Sequence, residues 1–180
     1  MSEYTYVDYS NLFVEGQRLS AKENNMASSI AQAMGAGILD TSYRLAFDAL
    51  YRHLAGVRPK AAKRTVVFGS TDEHIDYIWC YAQRAGFETR IFPRNASNKE
   101  KRVDTALLTE FLRDAYLVAE KTDIFRIIGG DGDYVPAVER LVEDGFHVEV
   151  HFWSHASVDL KNACTVFRCL DSHLRVFQVR

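Results

Sequence analysis

Two carboxylates, Asp131 and Asp133, stand in the stretch Gly129-Gly130-Asp131-Gly132-Asp133, directly after the apolar run Ile124-Phe125-Arg126-Ile127-Ile128. The run reads as a buried strand, and the carboxyl ends of such strands are where open α/β sheets keep their chemistry. A second strand-like segment, Tyr4-Thr5-Tyr6-Val7, ends the same way in Asp8-Tyr9-Ser10-Asn11, and a further acid, Asp104, follows Lys101-Arg102-Val103. Converging carboxylates repel one another, so a fold that gathers several of them needs a cation. Mg²⁺ or Mn²⁺ suits all-oxygen ligands and retains water. An ion held this way can activate water and neutralise a phosphate under attack, so the implied reaction is phosphodiester hydrolysis. The acids that could offer oxygen ligands to such an ion are Asp8, Asp104, Asp131 and Asp133.

Each acid also has a plainer reading. Asp131 and Asp133 could be turn and cap residues, Asp104 an N-cap, and Asp8 with Asn11 an Asx-type turn. Taken singly these suffice, but they do not explain why acids gather at the ends of strands that should be neighbours. Gly129, Gly130 and Gly132 would let the backbone turn sharply beside a bulky substrate. Tyr9 and Tyr134 flank the acids and could stack on bases, as aromatics do in single-strand binding, or pack at strand ends. Arg94, Lys99, Lys101 and Arg102 form a compact basic cluster just before Asp104, placed to attract phosphate or to be a solvated loop. The six histidines show no ligand spacing of the H-E-x-x-H kind, which leaves them to surface and packing roles.

The elements that must position these residues follow from periodicity. Short apolar runs alternate with helix-period segments, the pattern of a parallel sheet covered on both faces. Strands are expected at 4–8, 65–69, 88–93, 123–128 and 147–153. Helices are expected at about 41–55, capped by Asp40 or Thr41; after the capping box Ser70-Thr71-Asp72-Glu73, ending at Gly86; over 103–119; and after Pro136, closed by Asp144-Gly145. In the helix at 103–119, Leu108, Phe111 and Ala115 fall within about 40° of the Asp104 direction, which puts this acid on the inward face of the first turn, while Glu110 lies about 120° away. Ala163, Val166 and Phe167 suggest a covering helix, with a last strand near 174–179. Residues 20–38, rich in Ser, Ala, Asn and Gly, read as an insertion or a lid.

With 180 residues and 47% hydrophobic content, one domain spanning 1–180 is expected. The 22 basic and 24 acidic residues give a net charge of −2, so any basic surface must be local. Three cysteines without paired spacing suit reduced thiols, and no run approaches the ~20 apolar residues of a membrane span. A cytoplasmic protein without a membrane segment is the expectation.

The chain resembles the NYN family of PIN-like ribonuclease domains, in particular its LabA-like branch. Asp8-Tyr9-Ser10-Asn11 is similar to that family's D-x-x-N, Lys101-Arg102-Val103-Asp104 to its K-x-x-D, and Gly130-Asp131-Gly132-Asp133-Tyr134 to its G-D-x-D-aromatic turn. Two departures stand out: Gly129 occupies a position where the family commonly has Ser or Thr, and Thr165 lies where an aspartate often stands in the last helix. The resemblance implies a three-layer α/β/α PIN-like (Rossmannoid) sandwich around a mainly parallel sheet of about five strands. It also implies a Mg²⁺- or Mn²⁺-dependent endoribonuclease acting on RNA, expected to be single-stranded. Asp8, Asp104 and Asp131 would be metal ligands, Asp133 a ligand or the residue orienting a water at the metal, and Asn11, Tyr9, Lys99, Lys101, Arg102 and Tyr134 would meet the substrate. The alternatives are a binding or regulatory module of the same fold that cleaves poorly, and a small-molecule phosphatase. The apolar C-terminal segment could cover the sheet edge, or meet a second copy or another protein.

Overall fold

The computed structural model describes residues 1–55, 62–71, 77–94 and 102–179. Six strands form one parallel sheet: β1 (Glu3–Asp8), β2 (Ala62–Thr71), β3 (Glu88–Pro93), β4 (Ile124–Ile128), β5 (His147–Phe152) and β6 (Val166–Cys169). The strand order is β3-β2-β1-β4-β5-β6, so the chain runs outward in one direction from β1, then returns to the centre and runs outward in the other. The reversal falls between β1 and β4, whose register pairs Val7 with Ile128.

Alternation along the strands sorts the core into two layers. Val7, Val67, Ile128 and Phe152 meet α1 (Tyr9–Glu23), α3 (Phe47–Ala55) and α4 (Tyr77–Ala85) on one face. Tyr6, Phe68, Ile127 and Val150 meet α5 (Val103–Leu117), α6 (Val135–Glu143) and α7 (Val158–Ala163) on the other. The expected three-layer α/β/α arrangement is therefore present, with six strands in place of about five. The helix terminators read from Gly86 and Asp144-Gly145 stand just past α4 and α6, and Pro136 lies in the first turn of α6. The three cysteines are free thiols. Among the described residues no helix is long and apolar enough to cross a membrane.

Several elements differ from expectation for identifiable reasons. Residues 9–23 form a helix, and α2 (Ile30–Ala36) orders part of the stretch read as an insertion or lid, with Ser29 capping it through Gln32 N and Ala33 fully buried. Asp40 does not cap α3. Its buried carboxylate accepts from Ser20 Oγ and Asn24 Nδ2, each at 2.7 Å, and from Ser42, which holds residues 40–43 in a turn and delays the helix to Phe47. Ala163 ends α7, but Val166 and Phe167 do not continue a covering helix. Thr165 takes the Val148 carbonyl at 2.9 Å and returns its hydroxyl to Val148 N, so the β-branched and aromatic residues after it become the sixth strand. The last strand expected near 174–179 is a single antiparallel bridge, Leu45 to Gln178. Of the capping box, Ser70 and Thr71 belong to β2, while Asp72 and Glu73 lie outside the described residues.

Charge enters this core on the α3 side. Arg126 of β4, 8% exposed, donates from Nε to Glu149 at 3.0 Å, and His151 Nε2 lies 2.8 Å from the same carboxylate. His53 of α3 packs against this group, its ring centroid 4.3 Å from that of His173 and 6.5 Å from that of His151. Burial, then neighbouring His173, His151, Arg126 and Arg168, depress the His53 pKa to about 4. Burial likewise lowers His151. Burial pushes Glu149 the other way, but the His151 hydrogen bond and the Arg126 charge outweigh it and hold its carboxyl below the ordinary range. A histidine neutral in the fold and ordinary in the unfolded chain binds more protons when unfolded, so it stabilises fully above its unfolded pKa. Unfolding free energy is therefore expected to fall as pH drops from about 6.5 toward 4. Denaturant titrations at pH 7.5, 6, 5 and 4 should show this slope, and His53→Gln should flatten it; equal slopes in both proteins would refute the assignment.

Candidate active site at the strand-order reversal

β1 ends in Asp8, and the chain turns at once into α1. Asp8 caps that helix, its Oδ1 accepting from Asn11 N at 3.1 Å, so the Asx-type role is real. The residue is only 4% exposed. Asn11 in turn reaches across the reversal point: its Oδ1 accepts from Gly130 N at 2.7 Å, which fixes the turn after β4 to the start of α1. The Gly130 carbonyl accepts from Ser157 N at 2.9 Å, adding the start of α7 to the same knot.

Tyr134 organises the acids. Carried at the end of a short 3-10 turn (Gly132–Tyr134), it is completely buried, and its hydroxyl lies 2.5 Å from Asp8 Oδ2 and 3.1 Å from Asp104 Oδ1. One phenol thus places carboxylates from β1 and from the first turn of α5 side by side at the carboxyl end of the sheet. Burial, followed by the charges of Asp8 and Asp104 and their hydrogen bonds, drives the phenol pKa far above its ordinary value, so it remains a donor. A tyrosine so enclosed offers no face to a base, and the expected stacking role for Tyr134 gives way to this internal one.

The glycines before it follow from the same packing. A Cβ on Gly129 would stand 2.7 Å from Tyr134 Cε2, so a serine or threonine there cannot coexist with this tyrosine placement. At Gly130 a Cβ would meet the Phe152 ring at 2.2 Å.

Asp131 and Asp133 lie just beyond, both exposed. Asp131 Oδ1 accepts from Asp133 N at 3.0 Å, the capping use that competes with any other role for this carboxylate. Among the described residues no group of three or more His, Cys, Asp or Glu side chains is gathered closely enough to hold a metal ion. What the structure does bring together is the Asp8 and Asp104 pair. That all-oxygen pair, drawn from two segments, fits a small hard cation, since Mg²⁺ is held by one or two carboxylates while keeping several waters.

The other expected substrate contacts are dispersed. Arg102 is exposed at the N-cap of α5, and Lys99 and Lys101 lie outside the described residues. Arg94 sits at the end of β3, its Nε donating to Ser70 Oγ at 2.9 Å. Tyr9 stacks on Phe13 and Phe47 and meets Trp79 edge-on, so its ring belongs largely to the core. Glu110, left unassigned from the sequence, pairs with Arg64 and Arg90 well away from the acids. Ser157 and Phe152 shape the turn although no local motif marked them; their part arises from β5 lying beside β4.

Comparison with known proteins bears on family and fold. The profile of the NYN domain matches residues 5–171, which include every acid of the site. Among solved structures, a protein of unknown function from Vibrio parahaemolyticus superposes with a TM-score of 0.69 at 16% identity, over 99% of this chain and 96% of that one, which establishes a shared fold. A search of curated proteins gives no significant match.

Tyr134→Phe should therefore be costly without creating a cavity. It leaves a buried carboxylate short of a charge-assisted hydrogen bond, worth about 1.5–3 kcal/mol. Urea unfolding of the variant should show that loss, and Asp8→Asn in the same background should recover part of it. Unchanged stability of Tyr134→Phe would show that the phenol does not hold the pair.

Proposed function

The chain belongs to the NYN domain family, and from that premise, which gives it a nuclease-like, RNA-related function, we propose that it is a metal-dependent endoribonuclease. The observation that carries this reading is the pairing of Asp8 and Asp104 by the Tyr134 hydroxyl at the point where the strand order reverses. Asp8 and Asp104 would hold a Mg²⁺ or Mn²⁺ ion, with Asp131 and Asp133 completing its surroundings from the loop after β4. Such an ion, when bound, supplies charge for the phosphate and lowers the pKa of an attacking water.

The chain's own groups do the positioning. Asp8 is fixed at both oxygens, by Asn11 N and by Tyr134, so its orientation does not depend on a ligand. Asp131, exposed beside the rigid Gly130 turn, can face a substrate phosphate's surroundings without unfolding a strand. Asn11 uses its carbonyl oxygen on Gly130, which assigns any substrate contact to its amide nitrogen. Arg102, with Lys99 and Lys101, would supply local positive charge to a chain whose net charge is −2. The second reading, a binding or regulatory module that cleaves poorly, is favoured by one observation: Asp131 spends an oxygen on its own turn, so the described acids gather as a pair.

Asp131→Asn separates the two readings. Asparagine can keep the cap to Asp133 N, so the fold should persist while the negative charge is lost. With end-labelled single-stranded RNA, internal cleavage by the wild type should require Mn²⁺ or Mg²⁺, vanish with chelator and fall roughly 100-fold in the variant, about 2.7 kcal/mol of barrier. Full activity of Asp131→Asn would refute the proposed role, and RNA binding with no cleavage by the wild type under any metal condition would favour the binding module.

A further inference from the structure

A cleft of about 920 Å³, lined in part by Tyr9, opens between α3, α4 and Val176, Gln178 and Val179 near the end of the described chain. The core packing explained above does not require it. Its exposed wall is aromatic: Tyr77 and Tyr81 of α4 are 65% and 57% exposed, large values for side chains that bury well elsewhere in this protein. They stand four residues apart, and Arg84 lies three beyond Tyr81, so all three share one helical face. Among the described residues three arginines line the cleft, Arg44, Arg52 and Arg84, against one carboxylate, Asp48, which pairs with Arg52 at 3.0 Å. Arg84 makes no ion pair among the described residues.

We propose that this cleft seats a single strand of RNA, its bases against Tyr77 and Tyr81 and its phosphates against Arg44, Arg52 and Arg84. The assignment rests on the nuclease reading and names where the substrate runs. Charge complementarity selects the occupant. Aromatic faces interleaved with guanidinium groups are what sequence-tolerant strand binding requires, because every base has a stacking face and every phosphate a charge. An apolar helix of a protein partner would instead bury guanidinium groups without neutralising them. Continuity with the acids is provided by Tyr9, which lines the cleft while its neighbour in sequence, Asp8, belongs to the acid pair. Arg44 lines the same cleft as Tyr9, its guanidinium donating to the Tyr43 carbonyl at 3.1 Å. A strand in the cleft would thus reach the carboxyl end of β1 past a pre-positioned cation.

The test uses the intact protein and a fluorescein-labelled oligouridylate of about 12 nucleotides, with chelator present so that binding is read without cleavage. Tyr81→Ala/Arg84→Ala alters only exposed side chains, and a thermal melt verifies its fold. Anisotropy titrations should show affinity reduced about tenfold or more, with the slope of log affinity against log salt shallower by about 0.7 for the lost arginine. Equal RNA affinity and salt slope in the cleft variant and the wild type, with metal-stimulated cleavage intact in both, would overturn the cleft while leaving the nuclease reading standing. No RNA binding or cleavage by the wild type would overturn both. A change from dimer to monomer in the cleft variant on gel filtration, without a change in RNA affinity, would assign the cleft to a second copy and overturn the RNA assignment.

Discussion

A parallel sheet whose strand order reverses must leave two adjacent loops diverging to opposite faces, and in this protein the gap between them is closed by a few polar contacts. Asn11 reaches from the first turn of α1 to the backbone after β4, and Tyr134 reaches back from beyond that turn to Asp8. The two contacts run in opposite directions across the same gap. Each satisfies a group that would otherwise sit at a buried strand end, and together they determine where the acids stand. The charge of Asp8 is tolerable at near-complete burial because hydrogen-bond donors meet both of its oxygens.

Packing reinforces this arrangement through what it forbids. The Tyr134 ring occupies the volume a side chain at 129 would need, and the Phe152 ring does the same at 130. Phe152 belongs to one core layer and Tyr134 to the other, so the backbone there lies between two aromatic surfaces. Rigid scaffolding beneath an exposed loop is the usual way folds present reactive groups. Asp131 and Asp133 are exposed, yet the residues just before them are held on both sides.

Much of this was legible in the sequence because it depends on local pattern. The strands expected at 4–8 and 123–128 carried apolar runs bounded by turn residues, and the acids at their ends were visible as such. α1 was not legible: Tyr9–Glu23 places Ser10, Asn11, Gly16 and Ser20 among its apolar positions, and buries Gly16, Gln17 and Ser20 against Tyr43, Trp153 and Asp40. Those partners lie far along the chain, and no window of residues reveals them. Val166–Cys169 failed for a similar reason, since its helical spacing was genuine but β5 offered an open edge. At the site, Tyr134 stood out beside the acids as a residue for stacking, but its internal role depends on burial, which periodicity cannot report for a residue in a turn. The coupling of Gly129 to Tyr134 likewise appears only in three dimensions.

The position of β1 has a consequence for how the chain acquires its structure. Its first edge pairs with β2, about sixty residues downstream, but its second edge pairs with β4, where Glu3 meets Ile124 and Val7 meets Ile128. Contacts of such long range close slowly, because the entropy of a large loop must be lost before the ladder forms. During synthesis the central strand therefore leaves the ribosome with one side bare, and it stays so until the segment Ile124–Ile128 has been made. The hydrogen bond from Gly130 to Asn11 and the approach of Tyr134 to Asp8 then arrive with the same segment that covers that side. The acids come together in the step that closes the sheet, so a nascent chain holds the scaffold of one half before it holds any of the paired site.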